Sequence, residues 1–141
     1  MKTELQAHQL STGRRRVRRR AETATKENIM KYMLLICTDS SVVLTDEQKA
    51  GLPEATGKWV QETDGAGIRL DGSALRPVSD ATTVRVRRDE VLLADGPFAE
   101  TKEQIAGFDI IECADLDQAI EVASKHPVAS FGTIEVRPFW Q

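Results

Sequence analysis

Short apolar runs alternate with polar stretches punctuated by glycine and proline along most of the chain. The first run, "KYMLLICT" at Lys31 to Thr38, is apolar at nearly every position. A strand with one wet face alternates apolar and polar residues, whereas a continuous apolar run is covered on both faces. This run therefore reads as a central strand with both faces covered. In "LTDEQ", Thr45 and Gln48 have the spacing of a capping box, so a helix starts there. Gly51 and Pro53 interrupt it, and Pro53 opens a second helical segment as its first residue. That segment turns Leu52, Trp59 and Val60 inward and stops near Asp64 and Gly65.

"AGIRLDG" reads as a short second strand, and "TTVRVRRDEVLLADG" as a hairpin. Val84 and Val86 alternate with Thr83, Arg85 and Arg87, the turn falls at Arg88-Asp89, and Val91 to Leu93 return. The turn lacks a glycine, so a tight type I′ loop is less comfortable than usual. "GFDIIEC", Gly107 to Cys113, is a further strand. "DLDQAIEVASKHP" is the clearest helix: Asp115 caps it, Gln118 is the reciprocal residue, and Leu116, Ala119, Ile120 and Ala123 form the apolar stripe. Lys125 and His126 suit its negative end, Pro127 stops it, and His126 is expected near the surface. "GTIEVRPFW" closes the chain as a strand with Ile134 and Val136 on one face.

The predicted order is β-α-β, a hairpin insertion, then β-α-β, the split βαβ plan of a ferredoxin-like α+β domain. Two helices cover one face of such a sheet, yet the first strand is apolar on both. A second copy of the same sheet is the most economical cover, so the expectation is a homodimer with sheets face to face.

Composition narrows the function. The 141 residues, 40% hydrophobic and 29% charged, fit one globular domain. No apolar run reaches the roughly 18 residues that span a bilayer, and no apolar stretch follows the basic N-terminus as in a secretory signal. Cys37 and Cys113 each sit inside an expected strand without clustered ligands, which reads as two free thiols in a reducing cytoplasm. No metal cluster, nucleotide-binding glycine loop or Ser-His-Asp set is present, and no cofactor is expected.

Charge divides the chain. Residues 1–29 carry Lys2, Lys26 and six arginines against Glu4, Glu22 and Glu27, a net +5, which leaves −8 on residues 30–141. The tail has few large apolar residues and is expected to be disordered. Three readings of it stand open: an extension upstream of a natural start at Met30, a disordered arm, or an arm whose "GRRRVRRR" binds phosphates without sequence preference. Without interleaved aromatics, stacking on single-stranded bases is not supported. Elsewhere nucleic-acid binding is not expected, nor is membrane association.

The candidate chemistry lies in "DGPFAETKE", Asp95 to Glu103, between two core-like segments. A structural reading accounts for every residue. Gly96-Pro97 makes a turn, Asp95 accepts its backbone N–H groups, Phe98 anchors it by burying its ring, and residues 101–103 form a solvated helical turn. A ligand reading uses the same shape. Asp95 stands at the mouth of a cleft, where apolar surroundings would raise its pKa and suit it to proton transfer. Pro97 and Phe98 line the cleft, Lys102 binds an anionic group, Glu100 shares a proton with Asp95 if they converge, and Arg85, Arg69 or Arg76 offers further charge. Two functions follow as alternatives from these residues: a small-ligand binding or sensing dimer, and an acid–base lyase or hydrolase using Asp95.

"MKYMLLI" at 30–36, "TTVRV" at 82–86, "DGPFAETKEQIAGF" at 95–108, "DLDQAIEVA" at 115–123 and "GTIEVRP" at 132–138 together resemble the YCII-related superfamily, in its DGPF (DGPFAETKE) branch. The resemblance covers residues 30–141. It implies a dimeric α/β barrel of ferredoxin-like subunits, a bacterial cytoplasmic origin and no settled activity. Some relatives are linked to extracytoplasmic-function sigma factors, so the resemblance implies a third alternative, a sigma-factor partner in transcription control. It also implies a histidine–aspartate pair in a cleft. Asp95 matches the acid by position, but the histidine does not carry over, because this chain has only His8 and His126.

Overall fold

The computed structural model describes residues 29–140; the expectations about the tail at 1–28 lie outside them. The elements are β1 (Met30–Asp39), α1 (Asp46–Gly65), β2 (Arg69–Ala74), a 3-10 turn (Val78–Asp80), β3 (Thr82–Arg87), β4 (Glu90–Asp95), β5 (Glu103–Cys113), α2 (Leu116–Ser124), a second 3-10 turn (Pro127–Ser130) and β6 (Thr133–Pro138). This is a mixed α+β fold with antiparallel sheets. Four strands form one sheet in the order β2-β5-β1-β6, and β3 and β4 form a separate two-stranded hairpin. Both sheets are open at their edges, and the chain alone closes no barrel.

Side-chain alternation on β1 divides the large sheet into two faces. Tyr32, Leu34 and Ile36 are buried and meet Trp59 of α1 and Ala119, Val122 and Ala123 of α2. Ile111 and Cys113 of β5 join them, and Ile134 and Val136 of β6 pack alongside. The opposite face presents Met33, Leu35 and Cys37 beside Phe108 and Ile110, all half-buried, with neither helix over them. The apolar run thus has two apolar faces and helices on one, as its pattern requires.

The helix starts follow their caps. Thr45 Oγ1 accepts from the Gln48 backbone N–H at 3.1 Å, and Gln48 Oε1 accepts from the Thr45 N–H at 2.8 Å. Asp115 Oδ1 accepts from the Gln118 N–H at 3.0 Å, while Gln118 Oε1 reaches one residue further back, to the Ala114 N–H at 2.6 Å. Between them, two expectations need correction. Helix α1 is continuous through Gly51 and Pro53, with Pro53 inside it. Proline removes one N–H donor from a helix interior; here packing of the Trp59 half and the capping box at the other end carry the helix across that defect. Residues 101–103 form no helical turn, because β5 begins at Glu103 and pairs with the end of β1, Asp39 opposite Glu103 and Thr38 opposite Gln104.

Two bulges shape β5's neighbourhood. Against β1, Ala106 is an extra residue on β5, because Ile36 faces Gly107 and Cys37 faces Ile105. Against β2, Leu70 is the extra residue, because Arg69 faces Ile111 and Asp71 faces Ile110. Residues three apart on a regular strand lie on opposite faces. The Leu70 bulge instead puts Arg69 and Gly72 on the same, helix-covered face as Asp109. Gly72 leaves the room for their side chains: a Cβ there would sit 2.1 Å from Asp109 Oδ1 and 2.7 Å from Arg69 Nη2. Arg69 Nε bonds Asp109 Oδ1 at 2.8 Å, and its Nη1 meets the more exposed Asp64 at 3.3 Å. Burial holds the Asp109 carboxyl above the ordinary carboxylate range and outweighs the pull of Arg69.

Candidate functional site

Within the stretch from Asp95 to Glu103, Pro97, Phe98, Ala99, Thr101 and Glu103 form one wall of a cleft of about 520 Å³. The other wall is the connection after β2, from Leu75 to Ala81, and Ile105 of β5 lies between them. Backbone bonds fix both walls. The Leu75 N–H donates to the Ala106 carbonyl at 2.8 Å, and the Gly96 N–H to the Ala81 carbonyl at 2.7 Å. Thr83 Oγ1 donates to the Gly96 carbonyl at 2.8 Å, which ties the root of the hairpin to the motif. Gly96 has φ of +95°, a backbone state that glycine adopts without strain. The far end of the loop is held by the Ser40 N–H on the Lys102 carbonyl at 3.0 Å and by Gln104 Nε2 on the Thr101 carbonyl at 2.8 Å.

The lining is mainly apolar, from Leu75, Pro77, Val78, Pro97, Phe98 and Ile105, with polar groups from Arg76, Asp80, Thr101, Glu103 and Gln104. Arg76 Nε and Asp80 Oδ2 pair at 3.0 Å, exposed, on one wall. Such a site suits a small, largely apolar molecule carrying a hydrogen-bonding group.

Of the residues singled out from sequence, Pro97, Phe98 and Arg76 line this cleft. Phe98 does not anchor its turn by burial, since 78% of it is exposed. The turn at Gly96-Pro97 carries the ring outward rather than into the core. Asp95 ends β4 opposite Thr82, is exposed, and is not among the lining residues. Glu100 and Lys102 are likewise exposed and outside the lining, so the structure does not gather the motif's charges around one point. Arg85 stands on the hairpin opposite Leu92, away from the cleft. Arg69 is committed to Asp109 and Asp64.

Sequence reasoning missed Leu75, Pro77, Val78 and Ile105. The signal for the first three was present as "LRPV" directly after a strand, apolar residues where a solvated linker would be polar.

His126 is not a surface residue as expected; it is 5% exposed. Its ring lies edge-on to Trp59, with centroids 4.7 Å apart. Nδ1 accepts from the Val128 N–H at 3.0 Å and caps the second 3-10 turn, which places the proton of the neutral ring on Nε2. Burial lowers its pKa from the ordinary 6.5. Protonation would destroy the acceptor, so the unfolded chain binds the proton more readily than the folded one. The stabilising contribution is complete above pH 6.5 and is lost as pH falls toward the lowered value. We expect the urea midpoint of the wild type to drop between about pH 7.5 and about pH 5.5, and His126→Asn, which keeps a capping acceptor, to drop less. Equal slopes would show that His126 does not govern this window.

Neither cysteine is poised for nucleophilic chemistry. Burial pushes the Cys113 thiol up to about 11. Burial first, then Glu103 and Glu135, raises that of Cys37. Among the described residues, no group of three or more His, Cys, Asp or Glu is arranged to hold a metal ion, and no helix is long and apolar enough to cross a membrane.

Comparison with known proteins agrees with this frame. The YCII-related domain matches residues 30–141, the span that contains every element described above. An uncharacterized protein of Rhizobium meliloti (strain 1021), R00369, is 48% identical over 117 residues, covering 77% of this chain and 91% of that protein. The folded span, its α+β element order and this match lead to one conclusion: the chain belongs to the YCII-related domain family.

Proposed function

We propose that the chain is a cytoplasmic binding or sensing module of the DGPF type, in which each subunit of a homodimer takes a small organic molecule into the cleft between residues 75–81 and 97–105. The observation that carries this reading is the cleft itself: two walls pinned by backbone hydrogen bonds, a mainly apolar lining and a few polar groups. The dimer is supported by the open sheet face of Met33, Leu35, Phe108 and Ile110. Covering several hundred Å² of apolar surface at about 25 cal/mol per Å² yields several kcal/mol before association costs. Two such faces brought together would make the α/β barrel that one chain leaves open.

Binding is preferred to acid–base catalysis because Asp95 lies outside the cleft lining. Ligand-observed NMR with a library of small apolar acids, amides and alcohols tests the reading. Hits are expected to lose at least about tenfold in affinity in Val78→Asp and to keep it in Asp95→Asn. A folded protein that binds no member of the library, or binds equally well after Val78→Asp, would overturn the assignment of this cleft.

A further inference from the structure

We propose that Asp71-Gly72 is a self-modification site: the Gly72 nitrogen attacks the side-chain carboxyl carbon of Asp71, and the backbone of β2 is rerouted through an isoaspartyl link.

Three Asp-Gly pairs lie in the described residues, Asp64-Gly65, Asp71-Gly72 and Asp95-Gly96. Glycine favours this reaction because no side chain crowds the attacking nitrogen or restricts its rotation. The three backbones differ. Gly65 is the last residue of α1, where its N–H belongs to the helix ladder. The Gly96 N–H donates to the Ala81 carbonyl at 2.7 Å. Gly72 lies on β2, an edge strand, and along an edge every second N–H points away from the sheet. The Leu75 N–H faces β5, where it donates to the Ala106 carbonyl, so in this register the Gly72 N–H faces outward. Its partner is the exposed Asp71 carboxylate, with Oδ1 at 2.8 Å. The nitrogen therefore stands beside the group to which it must bond, and solvent can remove its proton.

The buried ion pair imposes this glycine. A Cβ at position 72 would strike Asp109 Oδ1 and Arg69 Nη2, so the residue that makes room for the pair also leaves Asp71 labile.

The chemistry needs only water. The Gly72 nitrogen loses its proton and bonds to Asp71 Cγ. A carboxyl oxygen leaves as water, and a five-membered succinimide remains. Water then adds at one of its two carbonyls. Addition at Cγ restores aspartate. Addition at the main-chain carbonyl carbon breaks that carbon's bond to Gly72 and frees it as a carboxylate. The chain now runs through Cβ and Cγ, one atom longer. Asp71 pairs with Ile110 at the rim of the open face, and Gly72 pairs with Asp109, so the added atom falls where β2 holds its register beside the ion pair.

The full chain, folded and near neutral pH, is incubated for weeks in heavy-oxygen water and compared with the same chain in urea. Electron-transfer fragmentation of its peptides locates isoaspartate, and one heavy oxygen marks each turnover. In the folded chain position 71 is expected to accumulate at least about tenfold more isoaspartate than 64 or 95; in urea the three are expected to react alike. Asp71→Glu, which keeps the charge but cannot close a five-membered ring, is expected to remove the signal at 71 and leave 64 and 95 unchanged. The modified fraction, separated by ion exchange, is expected to unfold at lower urea than the unmodified one. Isoaspartate at 64 or 95 equal to that at 71 in the folded chain, or none at 71 when the urea sample has reacted, overturns the site. A modified fraction as stable as the unmodified one overturns its link to the ion pair.

Discussion

Asp109→Ala is expected to destabilise the fold by about 3 kcal/mol, as a fall in the urea midpoint with an unchanged slope. The mechanism is an orphaned cation. The Asp109 side chain is 8% exposed and that of Arg69 14%, so removing the carboxylate leaves a guanidinium largely cut off from water. Asp64 remains 3.3 Å away but is half exposed, and it replaces only part of the lost interaction. This places the effect at the lower end of the roughly 3–5 kcal/mol seen when one partner of a buried pair is removed. Removing both charges together, as Asp109→Leu with Arg69→Met, is expected to restore much of the stability, because no buried charge is then left unpaired. If the single variant matched wild type, the pair would be shown to be solvated in solution.

Trp59→Ala is expected to have a comparable or larger effect, about 3–5 kcal/mol. Trp59 is 3% exposed and joins α1 to α2 in three ways. Its ring fills the core between the helices and the sheet. Its Nε1 donates to the Val122 carbonyl at 3.0 Å, one of the last carbonyls of α2. Its ring meets that of His126, just beyond the end of α2, in an edge-type contact with centroids 4.7 Å apart. Trp59→Phe separates these contributions, since it retains most of the packing and leaves Nε1's partner without its side-chain donor. A loss of about 1–2 kcal/mol is expected there. Equal losses in the two variants would mean that the hydrogen bond, and not the volume, dominates.

The elements that the sequence reveals are those governed by neighbours. Both helix starts follow from side chains three residues apart, and the hairpin turns at Arg88-Asp89 where the alternation stops. The bare second face of β1 is visible in an uninterrupted apolar run. What escapes is set by distant partners. Arg69 and Asp109 are forty positions apart, and only the Leu70 bulge brings them to one face. A hint existed: Asp109 alternates in phase with Gly107, Ile111 and Cys113, a carboxylate on a buried face that calls for a cation. The motif from Asp95 to Glu103 is legible as a turn and illegible as a site. Residue types say that the backbone must bend at Gly96-Pro97; they do not say that Phe98 points away from the core or that the linker after β2 faces it.

The paired bulges have a consequence for how this family member can change length. Against β1 the surplus residue belongs to β5, and against β2 it belongs to the neighbour. Slippage of β5 by one position removes neither bulge and would turn the buried side chains of Asp109, Ile111 and Cys113 to the other face. The strand is locked like a key cut on two edges. Insertions and deletions are therefore steered out of the central sheet and into residues 97–102, the loop that borders the cleft, so the sheet stays constant while that loop is free to change length.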